Sequence, residues 1–200
     1  MKDEWYGDKR DLVKWGVLVE LAEWFDAERI LQVLYHRPSK WAQLDIDGEQ
    51  IPLPAAVLKH FRNAAAISTI QARARVEVIT DSFGNRDQYL QTVLQRLKAD
   101  RGKPCVVFLD PDTGLESRNP GPEHVLESEL ATIWREMSGG SVLVFYQHQT
   151  NRNGTPWVES KKAQFEAALE LKPGSARVAR APKIARDVAL FFLQKAMKTK

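Results

Sequence analysis

Short apolar runs alternate along the chain with stretches in which apolar residues recur at helical spacing. From Asp11 onward, apolar residues recur every three or four positions, which predicts an amphipathic helix over about 11–25. Uninterrupted apolar runs such as CVVFLD (105–110) and SVLVFYQH (141–148) instead predict strands that are buried on both faces. The same patterns predict further strands at 30–36, 74–80, 176–181 and 187–194, and further helices at 55–67, about 89–102, 127–137 and 160–171.

The order of these elements predicts the architecture. Strands that alternate with helices favour a parallel sheet covered by helices on both faces. The last two strands are separated by too few residues for a parallel crossover, so they should pair antiparallel. The sequence therefore predicts a single α/β domain over 1–200. Its sheet is expected to be Rossmann-like, doubly wound and mostly parallel, ending in an antiparallel strand pair as in class I methyltransferases. The proline-rich stretch 37–54 is interpreted as a loop insertion.

The bulk composition fits a globular chain of this kind. Of its 200 residues, 44% are hydrophobic and 28% are charged, which is enough apolar material for a core of its own. No run reaches the roughly 18 apolar residues of a membrane span, and the charged start MKDEWYGDKRD lacks the apolar segment of a signal peptide. Cys105 is the only cysteine, which excludes an internal disulfide and a multi-cysteine zinc site. We therefore expect a cytoplasmic protein without a membrane partner.

Basic residues are concentrated towards the carboxyl-terminal end of the sequence. The stretch 172–200 contains eight lysines and arginines and one acid, Asp187, although the whole chain carries a net charge of only +3. A basic region of this kind could meet the phosphates of a nucleic acid. It could equally be a solvated face followed by a lysine-rich tail, and the sequence leaves both interpretations open.

Polar side chains follow several predicted strands at their carboxyl ends, where open α/β sheets bind ligands. His36 and Asp81 follow the first two strands, which makes them candidates for contacts with a cofactor. The third and fourth strands end in the stretches DPDTGLE (110–116) and YQHQ (146–149). If these two strands are neighbours, both stretches face one cleft. The candidate catalytic residues of that cleft are Asp110, Asp112, Tyr146 and His148.

The acids of DPDTGLE also suit a metal ion. Asp110, Asp112 and Glu116 offer the hard oxygen ligands that Mg²⁺ prefers. A metal there would support phosphoryl-transfer or hydrolytic chemistry, with His148 as the general base. The alternative is an ordinary tight turn, because Pro, Asp, Thr and Gly are common turn residues.

Two stretches resemble a known family. YGDKRDLVKWGVL (6–18) is similar to the amino-terminal signature of the RlmJ-type 23S ribosomal RNA adenine-N6 methyltransferases, with Gly7, Asp11 and Lys14 at matching positions. FLDPDTG (108–114) is similar to their D-P-P-[YF] motif at Asp110 and Pro111, and ARDVALFFL resembles their closing strand. The resemblance implies S-adenosylmethionine as cofactor, Asp110 as acceptor for an exocyclic amine, and Lys14 in the lining of the pocket. DPDTGLE and YQH also resemble stretches in a group of uncharacterised bacterial proteins.

Two features differ from that family. Asp112 and Thr113 replace the second proline and the aromatic residue of the motif, and LQVLYHRPSKW (31–41) has no glycine where a glycine-rich cofactor loop would follow the first strand. Glycine there would let the backbone approach the cofactor closely.

Three functions follow as hypotheses. The first is a methyltransferase-related domain that acts on nucleic acid or a nucleotide. The second is a Mg²⁺-dependent phosphodiesterase or nuclease that uses the acids of DPDTGLE. The third is a non-catalytic relative that binds nucleic acid through the basic region 172–200.

Overall fold

The computed structural model of the protein describes residues 7–37, 43–57, 64–99, 102–149, 151 and 156–197. Helices α1 to α4 span Lys9–Trp24, Arg86–Ala99, Glu127–Glu136 and Val158–Ala168. Strands β1 to β5 span Arg29–Val33, Gln43–Ile46, Glu49–Pro52, Arg75–Ile79 and Cys105–Leu109. Strands β6 to β10 span Gly114–Leu115, His124–Val125, Val142–His148, Arg177–Ala181 and Ala185–Gln194. None of the helices in the described ranges has both the length and the apolar character that crossing a membrane requires.

Six of these strands form one sheet in the order β4-β1-β5-β8-β10-β9. β1 pairs parallel with β4 and β5, and β5 pairs parallel with β8. β10 pairs antiparallel with both β8 and β9. This confirms the predicted Rossmann-like α/β class with a mostly parallel sheet and an antiparallel strand pair. It also confirms that the strands ending in DPDTGLE and YQHQ are neighbours.

Two apolar cores lie on opposite faces of the sheet. α1 covers one face with side chains such as Leu18 and Leu21, whereas α2, α3 and α4 cover the other. All five residues of β5 are buried, and they serve the two cores in turn because successive side chains of a strand point to opposite faces. Val106 and Phe108 pack on the α1 side, and Val107 and Leu109 pack on the other.

The stretch 37–54, which is predicted to be a loop insertion, contains a short antiparallel hairpin. Its strands β2 and β3 pair around Asp47 and Gly48, which both have positive φ. The Asp-Gly turn is typical of a two-residue hairpin, but the flanking strands are largely exposed and have no long apolar run to mark them. The predicted helix 55–67 is seen only in part. Residues 55–57 are helical, Ala64–Thr69 forms a 3₁₀ helix, and 58–63 lie outside the described residues.

Helix α1 begins two residues before the predicted start. Asp8 caps it, because the Asp8 carboxylate accepts hydrogen bonds from the backbone N–H groups of Arg10 and Asp11. Asp11, the residue expected at the cap, lies in the first turn and is only 6% exposed. The Asp11 side chain is therefore buried, where it can pair with other groups in the interior of the protein.

Candidate functional site at the carboxyl edge of the sheet

The carboxyl ends of the parallel strands form one edge of the sheet, and the strand order reverses there between β1 and β5. The chain leaves β1 towards β4 and leaves β5 towards β8, in opposite directions along the sheet. Such a switch point is where doubly wound sheets bind ligands. Asp110 follows β5 at this point, and its backbone N–H donates to the carbonyl of Val33 at the end of β1 (2.9 Å).

Asp110 is the centre of a buried ionic network. Its side chain is 0% exposed, with Oδ1 lying 2.9 Å from Nζ of Lys14. Its other oxygen, Oδ2, accepts a hydrogen bond from Nε2 of Gln32 at 2.8 Å. Nζ of Lys14 also lies 3.0 Å from Oδ1 of Asp11, and Oδ2 of Asp11 accepts from the backbone N–H of Gly7 at 2.6 Å. The network therefore joins α1, β1 and the end of β5 through one cation and two carboxylates.

The network pairs two carboxylates, Asp11 and Asp110, with the one ammonium group of Lys14. Burial disfavours the ammonium form of Lys14, but Asp110 and Asp11 together outweigh burial and raise the pKa of Lys14. Burial raises the pKa of Asp11, Lys14 lowers it in part, and the like charge of Asp110 raises it further. Lys14 is therefore held as a cation. Ionisation of Asp11 is disfavoured, because the one ammonium group of Lys14 must offset the charges of two carboxylates.

Tyr146 closes the network on the side of β8. Nζ of Lys14 lies 4.4 Å from the centre of the Tyr146 ring, a distance at which an ammonium group is attracted to an aromatic face. Burial raises the pKa of Tyr146 to about 12, with Lys14 acting against this shift and Asp110 adding to it. The phenol is therefore a neutral group at ordinary pH and is not a base.

His148 lies outside the buried network in a second, partly exposed group. Its Nδ1 is 3.9 Å from Oδ2 of Asp187, and Asp187 also pairs with the Arg10 guanidinium at 2.6 Å. Burial lowers the pKa of His148, although Asp187 opposes the shift. Asp187 is thus shared by two basic side chains. It connects the start of α1 to the carboxyl end of β8 and the start of β10.

Asp112 pairs with Arg37 across the switch point. Arg37 belongs to the segment that follows β1, and Asp112 belongs to the loop that follows β5. Both side chains are largely buried, at 23% and 13% exposed. Nε of Arg37 is buried and has no hydrogen-bond partner among the described residues. The pair therefore connects the two loops that diverge at the switch point.

The loop after β5 is fixed to β8 through a glycine. Gly114 has φ +137°, and a Cβ atom there would lie 2.2 Å from Oε1 of Gln147. Gln147 is completely buried; it accepts from the N–H of Leu115 at 2.9 Å and donates to the carbonyl of Thr113 at 3.2 Å. DPDTG therefore bends at Asp112 and Thr113 before β6 begins at Gly114, and it also carries a charged network.

The three predicted metal ligands do not form one group. Oε2 of Glu116 accepts from the backbone N–H of Glu127 at 3.0 Å, so Glu116 caps the first turn of α3. Asp110 and Asp112 are engaged by Lys14 and Arg37. Within the part of the chain that the structure describes, no set of three or more His, Cys, Asp or Glu side chains is placed to hold a metal ion. The arrangement therefore does not favour the Mg²⁺ site.

His36 and Asp81 lie at the ends of two neighbouring strands. His36 forms a parallel bridge with Ser82, next to Asp81, and its carbonyl accepts from the N–H of Phe83 at 2.7 Å. His36 is partly exposed and Asp81 is exposed. The structure thus places both at the carboxyl edge, on the β4 side of the switch point, and their role as cofactor contacts stays a prediction.

The β9–β10 hairpin extends beyond the same edge of the sheet. Val188 pairs with His148, the last residue of β8, while β10 begins three residues earlier, at Ala185. The start of β10 therefore stands about 10 Å past the end of β8. The hairpin tip, residues 180–186, carries exposed Arg180, Lys183 and Arg186. The Arg180 guanidinium lies 5.8 Å from the centre of the Trp157 ring.

Sequence reasoning identified Asp110, Lys14, Tyr146 and His148 but missed their partners. Gln32 is flanked by Leu31 and Val33 within the buried strand RILQV, and a polar side chain inside an apolar run was a usable signal. Asp187 is the one acid of the basic region, which was a second signal. The pairing of Asp11 with Lys14 depended on which face of α1 is buried, and misplacing the cap at Asp11 concealed it.

A chain of contacts links the three amino-terminal positions that carry the resemblance to Asp110. Gly7 contacts Asp11, Asp11 contacts Lys14, and Lys14 contacts Asp110. Neither a protein-family model nor a curated protein matches the chain. The resemblance to the ribosomal RNA methyltransferases therefore stays a prediction based on these residues.

Proposed function

We propose that the protein is a methyltransferase-related α/β domain that binds nucleic acid along the carboxyl edge of its sheet. The observation that carries the proposal is the position of the hairpin tip. Its exposed cations Arg180, Lys183 and Arg186 extend past the edge that contains the switch point. Exposed cations beside the edge where doubly wound sheets bind ligands suit a ligand with a phosphate backbone.

Single-stranded RNA is the form of nucleic acid that these side chains favour. Trp157 offers an aromatic ring next to Arg180, and single strands are held by cations on the backbone together with aromatic rings that stack on bases. The resemblance to ribosomal RNA methyltransferases points to the same class of ligand.

The residues after β1 do not fit S-adenosylmethionine. Tyr35 occupies the turn with a left-handed φ of 49°, a conformation that glycine adopts most readily. Its ring packs against Phe83 and Tyr89, with ring centres 5.2 Å and 5.3 Å away. Asp110, the acceptor in the methyltransferase hypothesis, is 0% exposed and both its oxygens are engaged. The proposed activity is therefore binding, and Asp110 is assigned no step of methyl transfer.

Fluorescence anisotropy with a labelled single-stranded RNA of about twelve nucleotides tests the proposal. For the triple variant Arg180→Ala, Lys183→Ala, Arg186→Ala, we expect the affinity at 0.1 M salt to fall by about tenfold or more. The slope of log Kd against log salt should fall by about 2, because each lost phosphate contact removes about 0.7 for a single strand.

A second triple variant, Arg73→Ala, Lys98→Ala, Lys103→Ala, removes the same charge from exposed positions near the amino ends of the strands. It should bind RNA nearly as the parent protein does. An equal loss in both triple variants would mean that net charge alone attracts RNA and would overturn the assignment of this edge. Calorimetry with S-adenosylmethionine completes the test, and heat of binding at millimolar cofactor would contradict the conclusion that the cofactor does not fit.

A further inference from the structure

A role in holding the loop after β5 in place does not explain the position of the ion pair between Arg37 and Asp112. It lies at the switch point, where the segment after β1 and the loop after β5 diverge. The loop after β5 is already fixed by Gln147, through Leu115 and Thr113. A second attachment through Asp112 is therefore not needed to hold that loop in place.

The guanidinium of Arg37 is also incompletely satisfied. Asp112 is bound through one terminal nitrogen, Nη2, whereas Nε is buried and has no hydrogen-bond partner in the described part of the chain. A guanidinium presents its donors as a flat fork that matches two oxygens of a phosphate or a carboxylate. Buried donors without partners are rare in folded proteins, and an anion bound at this fork would supply the acceptor that Nε lacks.

We propose that Arg37 is the phosphate-binding group at the switch point and that Asp112 occupies this group when no ligand is bound. The inference rests on the proposed function and identifies the side chain that binds one phosphate group of the nucleic acid. A phosphate group of the nucleic acid displaces the Asp112 carboxylate and accepts hydrogen bonds from both Nε and a terminal nitrogen of Arg37. Asp112 then acts as an internal competitor, because it is an anion held beside the same donors.

The test uses the labelled RNA described above with three variants. Asp112→Asn removes the competing charge, so we expect RNA to bind about three- to tenfold more tightly, as is typical when a charge opposing a close contact is removed. Arg37→Gln should weaken binding about tenfold or more. Arg37→Lys should recover little of that loss, because lysine keeps the charge but not the flat fork. Competition by inorganic phosphate should be stronger for Asp112→Asn than for the parent protein.

Asp26→Asn is the matched control, because Asp26 also pairs with an arginine, Arg73, but in an exposed position. It removes the same charge and should change RNA affinity less than twofold. Equal tightening in Asp26→Asn and Asp112→Asn, or full binding by Arg37→Gln, would overturn the inference. If Arg37 variants bind normally while the hairpin-tip variant does not, the inference fails and the proposed function stands. If neither set affects binding, both fail.

Discussion

At the scale of single residues, Lys14 has the largest energetic role in the network. It is the cation between two buried carboxylates, Asp11 and Asp110. Removal of one partner from a buried ionic group is costly because the remaining charges are left without compensation in a medium of low polarity. Asp110 is completely buried, so water cannot replace the ammonium group.

Lys14→Met should therefore lower the free energy of unfolding at pH 7 by about 3–5 kcal/mol. The loss should shrink as the pH is lowered towards 4, because protonation removes the uncompensated charges. Urea denaturation at several pH values measures both effects. Lys98→Met is the control: Lys98 is 55% exposed and lies 4.0 Å from Glu136, so its loss should cost less than about 0.5 kcal/mol. A small cost for Lys14→Met that does not vary with pH would contradict this account.

At the scale of elements, two glycines have opposite roles. Gly16 lies within α1, where an added Cβ would meet no atom within 4 Å. Gly114 is the first residue of β6, where the same atom would overlap the side chain of Gln147. The helix tolerates a side chain at its glycine, but the start of β6 excludes one.

Gly16→Ala should stabilise the protein by about 0.5–1 kcal/mol, because alanine is the better helix former. Gly114→Ala should destabilise it by more than about 1 kcal/mol, because φ +137° and the contact with Gln147 both exclude a Cβ atom. Thermal unfolding of the two variants gives the comparison. If the two substitutions shift Tm in the same direction, the structural roles assigned to these glycines are incorrect.

The sequence was informative about elements wherever the apolar pattern was strong. The buried strands Cys105–Leu109 and Val142–His148 and their parallel pairing followed from long apolar runs and chain order. The hairpin of β2 and β3 was not predicted, because its side chains are mostly exposed and polar. The contacts of Asp112 and Glu116 were also not predicted, since they depend on residues 75 and 11 positions away in the chain.

At the scale of the whole molecule, buried tyrosines determine the response to alkaline pH. Tyr35, Tyr89 and Tyr146 all have pKa values raised above the ordinary value, chiefly by burial. The unfolded chain ionises its tyrosines near pH 10, whereas the folded protein keeps these three neutral to higher pH. Their contribution to stability is therefore complete below about pH 10 and is lost as the pH rises above it.

We expect the free energy of unfolding to fall increasingly steeply between about pH 10 and 11.5, measured by urea denaturation. Tyr146→Phe removes one of the three groups. In that variant the slope of the free energy of unfolding against pH should be smaller by up to about 1.4 kcal/mol per pH unit. This difference corresponds to the one proton that the Tyr146 phenol releases on unfolding. A parent protein whose stability is constant across this range would exclude three neutral tyrosines in the folded state.

The position of β10 between β8 and β9 has a consequence for how the protein is made. β9 is synthesised before β10 but does not pair with β8, because β10 lies between them. Until β10 has left the ribosome, β9 has no neighbour in the sheet, and the partly made chain exposes the apolar edge of β8. The antiparallel strand therefore couples completion of the sheet to the synthesis of β10, and the basic hairpin at the carboxyl edge forms only on a chain synthesised at least through β10.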